Sequence, residues 1–97
     1  MSKDTELVKK LKDVTLKDKA FSELLDAYQE RLYWHIRKIV TTHENADDVL
    51  QNTFIRIYKS IIKFEGKSSL HTWMYRIAYN ESIRFLEKNN KKRAWKN

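Results

Sequence analysis

The residues best suited to chemistry lie in the string G-K-S-S-L-H-T-W-M-Y-R-I-A-Y-N, from Gly66 to Asn80. Trp73, Tyr75 and Arg76 stand within four positions of one another. Aromatic rings stack on unpaired nucleic-acid bases, while guanidinium and amide groups bind base edges and phosphates. These residue types, on a helix that leads into a basic tail, indicate a surface that captures unstacked bases.

Candidate binding groups recur along one side of the helix that this string begins. They follow one another at steps of three and four, which places them on one face: Trp73, Arg76, Asn80, Arg84, Lys88. Lys63 and Phe64 precede the loop and can lie near the start of this row, and the basic residues 91–93 extend it. The alternative is that Trp73 belongs to the core and that the charges are only solvated.

Acidic and amide side chains indicate a second surface. Asp47, Asp48, Gln51 and Asn52 form a polar patch on an otherwise apolar segment, and such a patch can meet a basic partner. Carboxylates near a helix start also stabilise it through the macrodipole. From the residues alone, this simpler explanation of Asp47 and Asp48 is preferred.

Catalytic and metal-binding signatures are missing from the sequence. His35, His43 and His71 have no metal-ligand spacing, and no H-E-x-x-H string occurs. A single glycine cannot build a glycine-rich phosphate loop, and the absence of cysteine excludes disulfides and thiolate metal sites. We therefore expect a protein that is not an enzyme and that holds no metal or cofactor.

Length and charge indicate one small domain with a polyanionic partner. The chain has 97 residues and a formal net charge of +7. Residues 1–62 hold 11 Lys and Arg against 10 Asp and Glu, whereas residues 63–97 hold 9 against 3, and this asymmetry favours a polyanion on one side. The sequence has no secretory signal pattern and no apolar run of roughly 20 residues. We expect a cytoplasmic protein without membrane insertion.

The apolar pattern predicts an all-α fold. The chain has no proline and one glycine, too few turn residues for a many-stranded protein. We expect a short helix over about residues 5–12, a long one capped by Thr15, a third capped by Asn45, and a last one from about Leu70 to Asn89. These elements make a compact bundle of three main helices plus a short N-terminal helix.

Periodicity also predicts which faces are buried. The long helix should bury Phe21, Leu24, Leu25, Tyr28, Leu32, Ile36, Ile39 and Val40. The third helix should bury Leu50, Phe54, Ile57 and Ile61, and a second row suggests burial on two sides: Ile55, Tyr58, Ile62. The last helix, with Ser69 as its predicted cap, should bury Leu70, Met74, Ile77, Ala78 and Phe85.

Three blocks of the sequence resemble region 2 of the bacterial RNA polymerase sigma factors of the extracytoplasmic-function class. They are A-F-S-E-L-L-D-A-Y at residues 20–28, A-D-D-V-L-Q-N-T-F-I-R-I-Y at residues 46–58, and K-F-E-G-K-S-S-L-H-T-W-M-Y-R-I-A-Y-N at residues 63–80. Their order and spacing agree with the family, and the resemblance covers about residues 16–95. The string T-W-M-Y-R-I-A-Y-N is its most specific part.

The resemblance implies a domain that binds core RNA polymerase and the −10 element of a promoter. In that family the second block docks on a coiled coil of the polymerase's largest subunit. This assigns polymerase binding to Asp47, Asp48, Gln51 and Asn52. The family usually carries a carboxylate at the position of Asn52, so docking through this residue is expected to be weaker or different.

The third block carries promoter opening in the family, where the loop before the last helix holds a base flipped out of the −10 element. Here that loop corresponds to residues 64–69, with Asn80 nearby. Tyr75 is expected to be partly structural, and Arg84 and Lys88 should lie over the −10 duplex or its backbone. The DNA-binding residues expected from the row and the resemblance together are Lys63, Phe64, Lys67, Ser68, Trp73, Tyr75, Arg76, Asn80, Arg84 and Lys88.

Members of the family normally continue through a linker into a second DNA-binding domain, which reads the −35 element. This chain ends at Asn97, the last residue of its basic segment over residues 88–97. We expect one region 2-like domain over residues 1–97, truncated on its C-terminal side. An anti-sigma protein is an expected further partner, and Trp95 is a candidate for the surface that meets it or the second domain.

Two other functions stay open. One is a single-stranded nucleic-acid-binding helical module that is indifferent to sequence, which leaves Asp47 and Asp48 without a function. The other is a protein-interaction bundle whose basic face meets an acidic protein, which predicts a buried Trp73. The ordered resemblance of three blocks argues against both.

Overall fold

Four α-helices make up most of the chain in a computed structural model. It describes the backbone of residues 3–96 and the side chains of residues 5–90. The helices are α1 (Lys3–Lys12), α2 (Lys17–Val40), α3 (His43–Ser60) and α4 (Leu70–Lys96), with a 3-10 turn at Ile61–Lys63. Residues 3–96 contain no strand. The predicted all-α bundle of three main helices plus a short N-terminal helix is confirmed.

The start of α2 differs from the prediction. Leu16, not Thr15, occupies the N-cap position, and its side chain makes no capping hydrogen bond. Thr15 instead donates from its backbone N and its Oγ1 to Asp13 Oδ1, at 2.8 and 2.7 Å. The Asp13 carboxylate therefore holds Thr15 in the turn between α1 and α2, and the predicted cap was wrong.

The start of α3 also lies earlier than predicted. Thr42 is the N-cap, and its Oγ1 accepts a hydrogen bond from the backbone N of Asn45 at 3.2 Å. Asn45 is therefore a helical residue whose own N–H is satisfied, not the cap. Because α3 begins at His43, Asp47 and Asp48 lie beyond its first turn, whose acidic residue is Glu44.

The start of α4 agrees with the prediction, whereas its end does not. Ser69 Oγ accepts from the backbone N of Thr72 at 3.1 Å, as a capping residue does. The helix continues past the predicted end at Asn89, because no glycine or proline follows Gly66 to stop it. Residues 91–93 and Trp95 lie outside the described side chains.

The hydrophobic core lies between α2, α3 and α4, and α1 closes one end of it. Residues from every helix are fully buried: Leu11, Leu24, Leu32, Ile36, Ile57, Met74, Ala78. The turn at Ile61–Lys63 contributes buried Ile61. The main buried faces predicted from periodicity are therefore confirmed, with Phe21, Leu25, Tyr28, Ile39, Ile77 and Phe85 half-buried at their margins.

The predicted second buried row of α3 is wrong. Ile55 and Ile62 are 53% and 64% exposed, because the helices packed on α3 cover only its other side. Tyr58 is half-buried at the edge of this row. Its ring packs edge-on against Phe21, and its hydroxyl donates to Asp18 Oδ1 at 2.7 Å. α3 therefore presents Ile55 to solvent, and the 3-10 turn that follows it presents Ile62.

Across the described part of the chain, every helix is too short or too polar to serve as a membrane span.

Candidate nucleic-acid and protein interfaces

The loop before α4 contains the residues expected to hold a flipped base. Gly66 has φ +75°, a left-handed conformation that glycine adopts without steric cost. A Cβ at this position would meet no atom within 4 Å, so the backbone conformation and not the space favours glycine. Lys67 Nζ lies 3.1 Å from Glu65 Oε2, with both side chains exposed. This ion pair spans the turn at Gly66 and leaves both charges in contact with solvent.

Phe64 is part of the core, although it was predicted to bind DNA. Its side chain is only 7% exposed, and its carbonyl accepts a hydrogen bond from Lys12 Nζ of α1. Its ring centroid lies 5.0 Å from that of Trp73, at 51° between the planes. Trp73 is half-buried on the edge of the core, supported by Phe64 and still reached by solvent. Phe64 is therefore placed to hold Trp73 in position from beneath.

Tyr75 lies on a different side of α4 from Trp73. Residues two positions apart in an α-helix lie about 200° from each other around the helix axis. Tyr75 accordingly faces α2: its ring stacks on His71 with centroids 4.2 Å apart and 23° between planes, and it lies 4.8 Å from His35. The structure thus separates Tyr75 from the other predicted DNA-binding residues and gives it a packing contact.

The remaining predicted DNA-binding residues of α4 share a solvent-facing side. Arg76, Asn80, Arg84 and Lys88 are all exposed, as the steps of three and four require. We call these four residues, with Trp73 at their head, the α4 row. Lys63 is exposed and Ser68 half-buried near its start. Tyr79, three residues after Arg76, is also 52% exposed on α4, and the sequence reasoning did not name it.

The predicted polymerase-binding residues lie together on α3. Asp48, Gln51 and Asn52 are exposed and occupy neighbouring positions at steps of three and four. Asp47 is half-buried, and its Oδ2 lies 3.2 Å from His43 Nε2 one turn earlier. Asp47 therefore has a partner within the helix, whereas the other three are available to an external one. We call these four residues the α3 patch.

An ion pair joins α3 to α4. Arg56 Nε donates to Glu81 Oε1, and the Glu81 side chain is only 11% exposed. One groove runs along the seam between the two helices, lined by α3 residues from Asp48 to Ser60 and by α4 residues from Glu81 to Asn89. The α3 patch and the end of the α4 row therefore meet at the same groove, which the sequence reasoning did not foresee.

Among the described residues, pKa values are shifted for His35, Tyr58 and Asp13. Burial and then the positive charge of Lys38 lower the pKa of His35. The hydrogen bond to Asp18 raises the pKa of Tyr58, and hydrogen bonds from Thr15 lower the pKa of Asp13. Among the described residues, no group of His, Asp and Glu side chains could hold a metal ion. The two surfaces thus offer charged groups, amides and an aromatic face.

The family model described as Sigma-70 region 2 matches residues 24–92. The chain belongs to this family. The match contains most of α2, all of α3, and α4 as far as the α4 row extends. The resemblance found in the three sequence blocks is therefore confirmed.

Individual sigma factors are similar over most of this chain. It is 38% identical over 68 residues to the ECF RNA polymerase sigma-E factor of Haemophilus influenzae, which covers 70% of this chain and 35% of that protein. It is 33% identical over 81 residues to the ECF RNA polymerase sigma factor SigW of Bacillus subtilis, which covers 82% of this chain and 43% of that one. The chain thus spans less than half the length of these two relatives.

A solved structure of region 2 has the same fold. It is the NMR structure of the complex formed by an engineered region 2 of sigmaE with GTAAAA, with a TM-score of 0.81 and 28% sequence identity. The match covers 95% of this chain and 97% of that one. The Sigma-70 region 2 fold therefore extends over nearly the whole chain.

Proposed function

We propose that this chain is the part of a transcription initiation factor that binds core RNA polymerase and recognises and helps to open the promoter −10 element. On this proposal it is not an enzyme; it directs one. Because its proposed partner, core RNA polymerase, acts in the cytoplasm, we propose that the protein is cytoplasmic. An anti-sigma protein is a further proposed partner, in line with the ECF names of the relatives.

The observation that carries the proposal is the likeness to a region 2 domain bound to GTAAAA, over 95% of this chain. The α4 row supports it, because a half-buried indole is followed along one exposed side by a guanidinium, an amide and two further cations. An indole can stack on an unpaired base, while guanidinium, amide and ammonium groups can contact phosphates and base edges.

We assign different roles to the predicted DNA-binding residues. Trp73, Arg76 and Asn80 contact the single strand. Lys63 precedes the loop that would hold a flipped base, and exposed Lys67 and the Ser68 hydroxyl lie within that loop. Phe64 and Tyr75 act through packing: Phe64 supports Trp73, and Tyr75 joins α4 to α2 through His35 while it stacks on His71 of its own helix.

The energy scale limits what these residues do alone. Extruding a base costs a few kcal/mol of stacking and pairing. One aromatic–base stack returns about 1–3 kcal/mol, and each neutralised phosphate adds a salt-dependent contribution. The domain is therefore suited to trapping an opened strand, and the cost of melting the duplex is shared with the polymerase.

Polymerase binding is assigned to the α3 patch. Asp48, Gln51 and Asn52 present a carboxylate and two amides to solvent, while Asp47 is engaged with His43 and contributes less. An amide at position 52 carries no charge, so Asp48 is the one carboxylate of the three exposed positions. This makes Asp48 the residue whose charge matters most to a basic partner.

A pull-down with core RNA polymerase tests the docking assignment. Wild type should be captured, and Asp48→Arg should lose most of the capture because it places a cation against a basic surface. Glu23→Arg makes the same charge change at an exposed position of α2 and should bind like wild type. Circular dichroism checks that both variants are folded. Equal capture of all three proteins would contradict the assignment.

The rival function is a single-strand-binding module that is indifferent to sequence. It also uses the α4 row, but it needs neither a polymerase nor the α3 patch. Failure of the folded wild type to bind core polymerase, combined with equal affinity for all single strands, would favour this rival.

A further inference from the structure

We propose that Lys12 of α1 is a positioning residue for DNA binding: its ammonium group holds the start of the loop that would hold a flipped base, without touching the strand itself. This inference rests on the proposed recognition of a −10 element and adds α1 to the elements that serve it. α1 ends at Lys12, whereas the Sigma-70 region 2 model matches residues 24–92. The family match therefore assigns no role to this helix.

The contact between Lys12 and Phe64 joins residues that are 52 positions apart in the chain. Lys12 Nζ donates to the backbone O of Phe64. The Phe64 N–H closes the 3-10 turn at Ile61–Lys63 by donating to the carbonyl of Ile61 at 3.0 Å. The Phe64 carbonyl lies beyond that turn, so the turn supplies no donor for it, and a charged donor makes the stronger kind of hydrogen bond. Lys12 thus satisfies a backbone group of the first residue of the loop.

The course of the loop depends on its two ends. Residues 65–67 are exposed, and their one ion pair is reached by solvent on both sides, a kind of contact that contributes little. The far end is held by Ser69, which caps α4. The near end is held by the burial of the Phe64 ring and by the bond from Lys12. Lys12 is therefore one of the groups that decide where the loop begins.

The same contact bears on the stacking face of the α4 row. The ring of Phe64 lies under Trp73, with the two centroids 5.0 Å apart. Because the ring and the carbonyl belong to one residue, a shift of the Phe64 backbone also moves the ring beneath the indole. Lys12 therefore acts on the loop through the backbone of Phe64 and on Trp73 through its ring.

α1 is packed so that Lys12 has a defined place. Leu11, its neighbour, is fully buried, and Leu7 one turn earlier packs against the core. The last turn of α1 also contains Lys10, which is exposed. Lys10 lies about 200° around the helix axis from Lys12, on the opposite side. It therefore provides a matched control, because its replacement removes the same charge from the same turn.

A direct contact with a phosphate is the alternative role for a lysine at this place. An abasic strand separates the two roles, because it keeps its phosphates and offers no base to stack or to hold. If Lys12 bound a phosphate, its removal would weaken binding of the abasic and the base-bearing strand alike. Positioning predicts a loss for the base-bearing strand alone.

Strand affinity is compared for the full wild-type chain, Lys12→Met, Lys12→Arg and Lys10→Met. Fluorescence anisotropy at fixed salt gives the affinity for a pool of random single-stranded hexanucleotides and for an abasic hexanucleotide. We expect Lys12→Met to bind the pool about fivefold or more weakly than Lys10→Met does, because the stacking and base-holding groups are displaced. On the abasic strand the two variants should be equal. Lys12→Arg should bind the pool within about twofold of wild type, because a guanidinium can donate to the same carbonyl.

Amide hydrogen exchange by NMR tests the positioning without DNA. The Phe64 N–H should exchange about threefold or more faster in Lys12→Met than in wild type, since loss of the donor to its carbonyl lets this residue open locally. The amide of Leu32, a fully buried residue of α2, reports global unfolding and should keep its wild-type rate. Faster exchange at both amides would show a general loss of stability and would contradict a positioning role.

The outcomes separate this inference from the proposed function. A wild type that binds the random pool no better than the abasic strand overturns the recognition of bases, and this inference with it. A wild type that prefers the pool, with Lys12→Met equal to Lys10→Met on that pool, overturns the inference alone. Equal losses by Lys12→Met on both strands, beyond those of Lys10→Met, also overturn it and make Lys12 a phosphate contact.

Discussion

Replacing Phe64 tests whether this residue supports the DNA-binding surface from the core or belongs to that surface. Phe64→Ala removes a ring that is 7% exposed, and such truncations cost about 3–5 kcal/mol. The lost ring contact with Trp73, 5.0 Å away, contributes about 0.5–1.5 kcal/mol of this. In a domain of this size, each kcal/mol lost from the free energy of unfolding lowers Tm by about 4–8 °C. The variant should therefore melt at least about 12 °C below wild type.

A matched pair of leucine variants separates stability from binding. Phe64→Leu keeps most of the buried volume and should cost only about 1–2 kcal/mol of stability. Its affinity for single-stranded hexanucleotides should stay within about threefold of wild type, since the ring does not reach a base. Trp73→Leu removes the stacking face and should lose about 1–3 kcal/mol, which is about 5- to 150-fold in affinity.

The two readouts are thermal unfolding by circular dichroism and fluorescence anisotropy at a temperature where both variants are folded. The reasoning is refuted if Phe64→Leu unfolds like wild type but loses as much hexanucleotide affinity as Trp73→Leu. Phe64 would then be a base-contacting residue, as the sequence suggested.

Three further predictions concern the helix ends and the half-buried His35. Thr41 ends α2 in the left-handed region at φ 68°, so Thr41→Gly should stabilise the chain by about 1 kcal/mol and raise Tm; an unchanged or lower Tm would count against this strain. Thr42→Ala removes the α3 cap and should cost about 1 kcal/mol in urea unfolding, whereas Thr42→Ser should not. Burial and the charge of Lys38 lower the pKa of His35 from its ordinary 6.5, so the unfolded chain takes up the proton first and stability should fall as the pH drops below about 6.5. His35→Gln should weaken that pH dependence in urea unfolding, and an identical pH profile would show that another group causes it.

The helices and their buried faces were predictable because periodicity reports which side of a helix is apolar. Leu24, Leu32 and Ile36 are buried as their spacing requires. Periodicity does not report how many sides of a helix its neighbours cover. Ile55 and Ile62 therefore looked buried in the sequence and are exposed in the structure, where α3 is covered on one side only.

Helix starts were harder to predict because several good capping residues stand close together. Thr42 and Asn45 both have suitable side chains, and only the hydrogen bond from the backbone N of Asn45 to Thr42 Oγ1 distinguishes them. Asp13 likewise competes for Thr15, which the sequence alone had placed at the start of α2.

The sequence predicted which helix carries each candidate surface. It did not predict where the two surfaces lie relative to each other. Spacing placed Arg76, Asn80, Arg84 and Lys88 on one exposed side of α4, as observed. The burial of Phe64 depends on tertiary contacts with α1 and Trp73, which local sequence does not contain. The meeting of the two surfaces in one groove depends on the antiparallel packing of α3 on α4.

Selection of single strands by the polymerase-bound domain tests the central claim most directly. The wild-type chain is bound to core RNA polymerase and offered a pool of single-stranded DNA randomised over six positions, and the retained strands are sequenced. The account predicts a defined enriched sequence, and it predicts that Asn80→Ala broadens this preference while polymerase capture is unchanged. Retention of all sequences equally by the wild-type complex would contradict recognition of a −10 element.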